Sequence, residues 1–206
     1  MRTPDRDRCR LTLAALCAAL VAALLVVPCT ALHAEYRVFP NGTAFNASVD
    51  VADAERFDFF ETGMLGERVP LKVSNVEVTG NCSPCLFNTS GATSITFFRG
   101  NYTVRYMAPF RDYHLLAAFE RPYSVNISLP EDFDVRNPLL AGINPGAVII
   151  GESDNSTTIR WNRTTSVDLR FYDKNREGLL YFFGNFWIVI AIVLLLPFLI
   201  TMRRTE

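Results

Sequence analysis

Apolar and polar residues alternate with a two-residue period through most of the middle of this chain. Phe45, Ala47, Val49 and Val51 alternate with Asn46, Ser48 and Asp50. Such a period places one set of side chains on each face of a strand. Val69, Leu71 and Val73 alternate, and Val76 and Val78 resume out of phase, which predicts a bulge or break near Ser74. Ile95 and Phe97 precede Arg99-Gly100-Asn101, and Tyr102, Val104 and Tyr106 follow, so the Gly-Asn pair predicts a hairpin turn. Val125, Ile127 and Leu129 form a further run; Val148 and Ile150 lead into a polar turn at 151–156, and Ile159 and Trp161 return. Val167, Leu169 and Phe171 close the series. Short strands with frequent turns predict a mainly β fold of β-sandwich type.

Both ends break this pattern. Arg2, Arg6, Arg8 and Arg10 precede an uncharged run at 11–27 rich in Leu, Ala and Val; Pro28 ends it and Ala34 offers a small residue for cleavage. Residues 1–34 therefore read as an export signal, with Glu35 as the first mature residue. An uncleaved signal anchor and a lipid-modified Cys29 are the competing readings. At the other end, residues 179–202 carry no charge. At about 1.5 Å per residue, such a helix crosses a hydrocarbon core of about 30 Å. Tyr181 and Trp187 lie in its outer half, and Arg203 and Arg204 follow it, which predicts a cytoplasmic tail at 203–206. Residues 35–178 are then an outward-facing domain in which only 173–178 separate the last strand from the membrane.

Eight of the thirteen asparagines sit in the pattern Asn-x-Ser/Thr: Asn41, Asn46, Asn81, Asn88, Asn101, Asn126, Asn155 and Asn162. All eight fall in the middle segment, where ordinary hydroxyl frequencies would give about two. The pattern is the acceptor signal for N-glycosylation, a modification of exported surfaces. Asn46, Asn101, Asn126 and Asn162 fall on the polar side of their strands' alternation, and Asn41 and Asn155 fall in turns. The plainer alternative, that Asn and Thr favour exposed β surfaces and turns, explains the polarity but not the spacing. The middle segment holds 18 acidic and 14 basic residues, a near-balance that gives no footprint for nucleic acid.

Four stretches carry a resemblance: residues 102–109 (YTVRYMAP), 119–130 (FERPYSVNISLP), 133–140 (FDVRNPLL) and 171–181 (FYDKNREGLLY). Together they resemble an uncharacterised family of membrane-anchored archaeal proteins with an extracytoplasmic β domain. The resemblance covers most of residues 95–200. It implies an archaeal envelope and a topology, with no assigned activity.

Candidate chemistry is sparse. Cys9, Cys17 and Cys29 lie in the leader, leaving Cys82 and Cys85 as an isolated C-x-x-C pair in a loop between strands. A local structural disulfide is the first reading. A thiol–disulfide exchange centre is the second, but it needs an acidifying helix N-terminus or cation that the surrounding pattern does not supply. A metal site would have to recruit His114, the only histidine outside the leader, with Asp112 beside it; Arg111-Asp-Tyr-His reads first as a polar loop. Glu131, Asp132 and Asp134 read as a solvated turn after Pro130, and Phe57, Phe59 and Phe60 as core. No phosphate-binding glycine motif and no nucleophile elbow occurs.

The sequence thus predicts a single-pass cell-membrane glycoprotein with its domain outside and its C-terminus cytoplasmic. Its expected role is structural or interaction-based in the envelope, with the lipid bilayer and an envelope or membrane protein as partners. No enzyme activity, catalytic residue, cofactor, metal or nucleic acid is expected. The alternative is an exported thiol–disulfide or metal-dependent enzyme centred on Cys82 and Cys85.

Overall fold

The computed structural model describes residues 32–203 apart from 64–65, 83–84, 92 and 154–155, with the backbone alone at 152–153 and 197–203. Residues 1–31, including Cys9, Cys17 and Cys29, lie outside the described residues, as do Asn155 and the residues from Arg204.

Three long strands carry the alternation that the sequence displays: β2 (Ala44–Asp58), β7 (Ser94–Pro109) and β12 (Ser156–Arg170). A fourth, β8 (His114–Pro130), alternates only in its second half. Between β2 and β8 lies β1 (Leu32–Val38), antiparallel to β2 and parallel to β8. The shorter strands are β3 (Phe60–Thr62), β4 (Arg68–Pro70), β5 (Ser74–Thr79), β6 (Asn88–Thr89), β9 (Phe133–Asp134), β10 (Gly142–Ile143), β11 (Ala147–Ser153) and β13 (Tyr172–Asp173). Nine strands join in one sheet, ordered β10-β12-β8-β1-β2-β7-β5, with β11 on β12 and β6 on β7. The ribbons β3–β4 and β9–β13 stand apart from it. The fold is mainly β, and its pairing runs through one continuous main sheet.

The inward face collects alternate residues of each strand: Ala34, Tyr36 and Val38; Phe45, Ala47 and Val49; Val104, Tyr106 and Ala108; Val125, Ile127 and Leu129; Ile159 and Trp161. These and their neighbours form one apolar cluster. Rings fill it, with Tyr106 touching Phe45, Phe57 and Phe59, and Phe171 touching Phe110, Tyr113 and Phe133. Each large apolar side chain removed from water contributes about 1.5–3 kcal/mol. Phe57 and Phe59 belong to this core as expected, whereas Phe60 carries the Arg68 guanidinium over its ring at 4.6 Å.

The turn expected at Gly100-Asn101 does not form. Strand β7 runs through it, and the ladder to β2 is irregular on both sides of the Ala54–Gly100 pair: β7 carries the extra residues between Thr96 and Gly100, and β2 carries the extra residue between Val51 and Ala54. Asp53 sits there in the left-handed region at φ 54°. Its amide donates to Asn101 Oδ1 at 2.9 Å, and Arg99 donates to both of its carboxylate oxygens at 2.6 and 2.7 Å. A pinned bulge thus does what the sequence suggested a turn would do, switching the buried set from Ile95 and Phe97 to Val104 and Tyr106. The break foreseen near Ser74 is present: β4 and β5 are separate, and β5 shifts register between Ser74 and Glu77. Two further runs of the sequence are halves of β12, divided by a bulge between Trp161 and Ser166 with Arg163 at φ 56°.

After β13 the chain enters one helix, α1 (Lys174–Arg203), directly. Asp173 Oδ1 accepts from the Asn175 amide at 2.8 Å and so caps it. Residues 174–178, expected as an extended connector, are its first turn. Glu177 accepts from Asn137 Nδ2 at 3.2 Å and from the Tyr172 hydroxyl at 3.4 Å, tying that turn to the loop after β9. Beyond it, Leu179, Tyr181, Phe182, Trp187, Val193 and Leu194 all lie more than half exposed.

Trp161 is 1 % exposed and lies mid-core. Trp161→Ala is expected to cost about 3–5 kcal/mol of unfolding free energy by loss of contacts and cavity formation. Asn162→Ala, one residue along on the solvent face, is expected to stay within about 0.5 kcal/mol. Denaturant titration of both variants checks the inward–outward register of β12.

Candidate functional site

Strand β1 is described from Leu32, the first described residue, to Val38, between β2 of 15 residues and β8 of 17. Leu32 is level with Tyr123 of β8, and Ala34 pairs with Val49 of β2. Past that point β2 continues to Asp58 while β8 extends back to His114, and among the described residues no strand lies between them. Each ladder holds neighbouring strands about 4.8 Å apart, so at Leu32 the two long strands stand two spacings apart.

A cleft of about 590 Å³ opens at this point. Its walls are residues 51–58 and 114–121, every residue in succession on each strand. Successive side chains of a strand point to opposite faces, so a pocket resting on a face touches every second residue. A pocket touching eight in a row abuts the strand's edge. The outer edges of these stretches are occupied, since β2 pairs β7 through Ala54, Arg56, Phe57 and Asp58, and β8 pairs β12 through residues 114–118. The edges facing each other across the cleft have no ladder partner among the described residues.

Small side chains, Ala52, Ala54, Ala117 and Ala118, line much of the slot, and Leu71, Tyr106 and Leu115 form its apolar depth. At the inner end the Tyr123 hydroxyl donates to the Asp50 carbonyl, so β8 is linked to β2 where β1 stops. Phe119 stacks on Tyr123 at 4.4 Å between centroids. Burial, with the Asp50 carboxylate nearby, pushes the Tyr123 phenol up to about 12. Burial raises Tyr36 and Tyr106 as well. The rim carries matched charges: Asp53–Arg99, Arg56–Asp58 at 2.6 Å and Arg68–Glu120 at 3.5 Å. The Arg99 guanidinium holds the Asp53 carboxyl below its usual range.

The residues singled out in the sequence lie elsewhere or play structural parts. Cys82 and Cys85 are joined in a disulfide with Cα atoms 5.0 Å apart, in the loop between β5 and β6. The Cys85 amide donates to the Val78 carbonyl at 2.9 Å. Neither cysteine lines the cleft. His114 opens β8 after a tight turn in which Asp112 and Tyr113 take positive φ; its Nε2 lies 2.7 Å from Asp168 Oδ1, and it does not join the cysteines. Among the described residues no three His, Cys, Asp or Glu side chains gather into a metal-holding group. Glu131 and Asp132 are exposed in a turn, but Asp134 is buried, a correction to the solvated turn expected for all three. It accepts from the Val135 and Arg136 amides at 2.6 and 3.0 Å, so backbone donors compensate its burial.

Of the seven described sequon asparagines, Asn41, Asn46, Asn81, Asn88, Asn101 and Asn162 are exposed. Asn126 is half-buried; it stands on the polar face level with Glu35, and its Oδ1 accepts from Arg160 Nε at 2.9 Å. Asn41 is in a turn, where it accepts from the Thr43 amide.

The described residues form a mainly β domain that runs directly into an apolar helix. By length and composition the helix is able to cross a membrane over Lys174–Leu196. The chain belongs to the Family of unknown function (DUF5803), which it matches over residues 31–206. A search of curated proteins finds no match to it.

Tyrosine burial sets an alkaline limit. An unfolded tyrosine ionises near about 10, while Tyr123 in the fold holds its proton to about 12. Between those values the unfolded chain releases a proton that the folded chain keeps, so stability falls as pH rises. Unfolding free energy is expected to be insensitive to these groups below about pH 9–10, to decline through the next two units, and to decline less steeply in Tyr123→Phe. Denaturant midpoints across an alkaline series, read with phenolate absorbance, check it.

Proposed function

We propose that this protein is a single-pass, membrane-anchored cell-surface glycoprotein with a β-sandwich-like outer domain. In this reading it is an interaction or structural module of an archaeal envelope rather than an enzyme. The observation that carries it is the helix. An all-round apolar helix is stable in water only when protein covers it, and the window that qualifies as a span has none of its residues buried. The exposed sequons support an exported domain, since a glycan needs a solvent-facing anchor. The capped entry into α1 keeps the domain against the bilayer without a stalk.

The enzyme reading loses support from the geometry around Cys82 and Cys85. An exchange-active pair needs an acidified thiol, and the one helix among the described residues packs against β13.

Two measurements test this. Protein from the native host should stay with membranes after alkaline extraction and exceed its polypeptide mass until chemically deglycosylated; release by alkali removes the anchor, and an unmodified mass removes the glycoprotein claim. Replacing Cys82 and Cys85 together with serine should lower thermal stability by a few degrees, consistent with a short loop's limited entropy, and leave membrane retention intact. Thiol trapping that finds one cysteine with a pKa well below about 8.5 would instead promote the redox enzyme.

A further inference from the structure

The loop at 135–141, between β9 and β10, finds an acceptor inside the protein for each of its amides. The Val135 and Arg136 amides donate to Asp134 Oδ1 at 2.6 and 3.0 Å, and the Asn137 amide donates to the Tyr172 hydroxyl at 3.3 Å. Pro138 has no amide hydrogen. The Leu139 amide donates to Asn137 Oδ1 at 3.0 Å, and those of Leu140 and Ala141 donate to the Asn137 carbonyl at 3.1 and 2.9 Å. A loop in water has no need of this, because water satisfies exposed amides. A loop in lipid does need it.

The same loop is fixed beside the start of α1. Asn137 Nδ2 and the Tyr172 hydroxyl both donate to the Glu177 carboxylate, at 3.2 and 3.4 Å. Glu177 is the last charged residue before the uncharged stretch at 178–202. Beyond it, Pro138 and Leu139 line one recess with Tyr181, Gly184, Asn185 and Ile188. Positions 177, 181, 184 and 188 recur at helical spacing and share one face of α1. The loop tip therefore lies along that face, past the last charge. At about 1.5 Å per residue, Gly184 is about 10 Å beyond Glu177 along the helix. Leu139 is 80 % exposed in this position, and Leu179, Phe182 and Phe183 on the adjoining turns of α1 are more than half exposed. A lone exposed leucine on a soluble surface is ordinary. This one continues the apolar surface of a helix long enough to span a bilayer.

We propose that the loop at 135–141 is a second membrane contact, which seats Pro138 and Leu139 among the lipids of the outer leaflet beside α1. Lipid is the occupant that the chemistry selects. The loop's amides are committed, so a partner strand would gain no donors from it. Its exposed tip is apolar and joins the lipid-facing surface of the helix. Together the loop and α1 attach the domain at two points and hold its tilt on the bilayer. This rests on the membrane-anchored reading and goes beyond it, because a helix alone would anchor the domain without orienting it.

The test places one fluorophore at a time on the full-length chain in phosphatidylcholine vesicles. Cys9, Cys17 and Cys29 are replaced by serine, Cys82 and Cys85 stay bridged, and Leu139→Cys, Asn162→Cys or Leu194→Cys carries a nitrobenzoxadiazole label. The quenchers are iodide in the water and phosphatidylcholine with a nitroxide on its acyl chain. Asn162, on the solvent face of β12, should respond to iodide, and Leu194, within the span, to the nitroxide lipid. The Leu139 label is expected to follow Leu194, with blue-shifted emission and iodide quenching about fivefold weaker than at Asn162. Iodide quenching at Leu139 equal to that at Asn162 overturns the proposal, and with Leu194 still in lipid it leaves the anchor standing. Shielding of Leu139 from both quenchers also overturns it, since protein rather than lipid would then cover the loop. Iodide access to Leu194 as well overturns the anchor and this proposal together.

Discussion

The two-sided pairing of β1 is the constraint on which the rest of the sheet depends. The antiparallel pairs β8–β12 and β2–β7 are long and bulged, and among the described residues no ladder joins one to the other except through this strand. Its inward residues, Ala34, Tyr36 and Val38, are almost wholly buried. They bring Phe45 and Tyr106 on one side into the same core as Val125 and Trp161 on the other. Its parallel register with β8 is the only parallel pairing among the described strands.

Much of the fold was legible because it is written in local alternation. The runs around Phe45, Val104, Val125 and Ile159 identified the four long strands, and each polar partner set proved to face outward. What escaped shares a cause. The first half of β8, Leu115-Leu116-Ala117-Ala118, and the second half of β2 both lack clean apolar–polar alternation. A period-two reading finds half-buried strands, and it is blind where the strand's edge, rather than one face, is the exposed feature. Gly100-Asn101 misled for a related reason. The phase change there is real, but a bulge and a turn both reset phase, and the choice was made by Asp53 on a different strand.

The residues that drew attention as chemistry, Cys82, Cys85, His114 and Asp134, are each committed to local structure: a bridge, a side-chain contact across β8 and β12, and a backbone-capping carboxylate. Residue type flagged them, and geometry assigned them structural work.

Strand β1 also bears on where an export signal could be cut. The small residue that makes Ala34 attractive as a cleavage site is the same property that lets it sit at 0 % exposure between Val49 and Val125. A cut after Ala34 would remove Leu32, His33 and Ala34, three of the seven residues that join the arms. The His33 amide bond to Asp50 Oδ2 at 3.3 Å would go with them. A cut before Leu32 would keep every described pairing. Under the glycoprotein reading, sugars on Asn46 and Asn126 would flank β1 on its outer face, opposite Arg37 and Glu35. That face would then be closed to a partner.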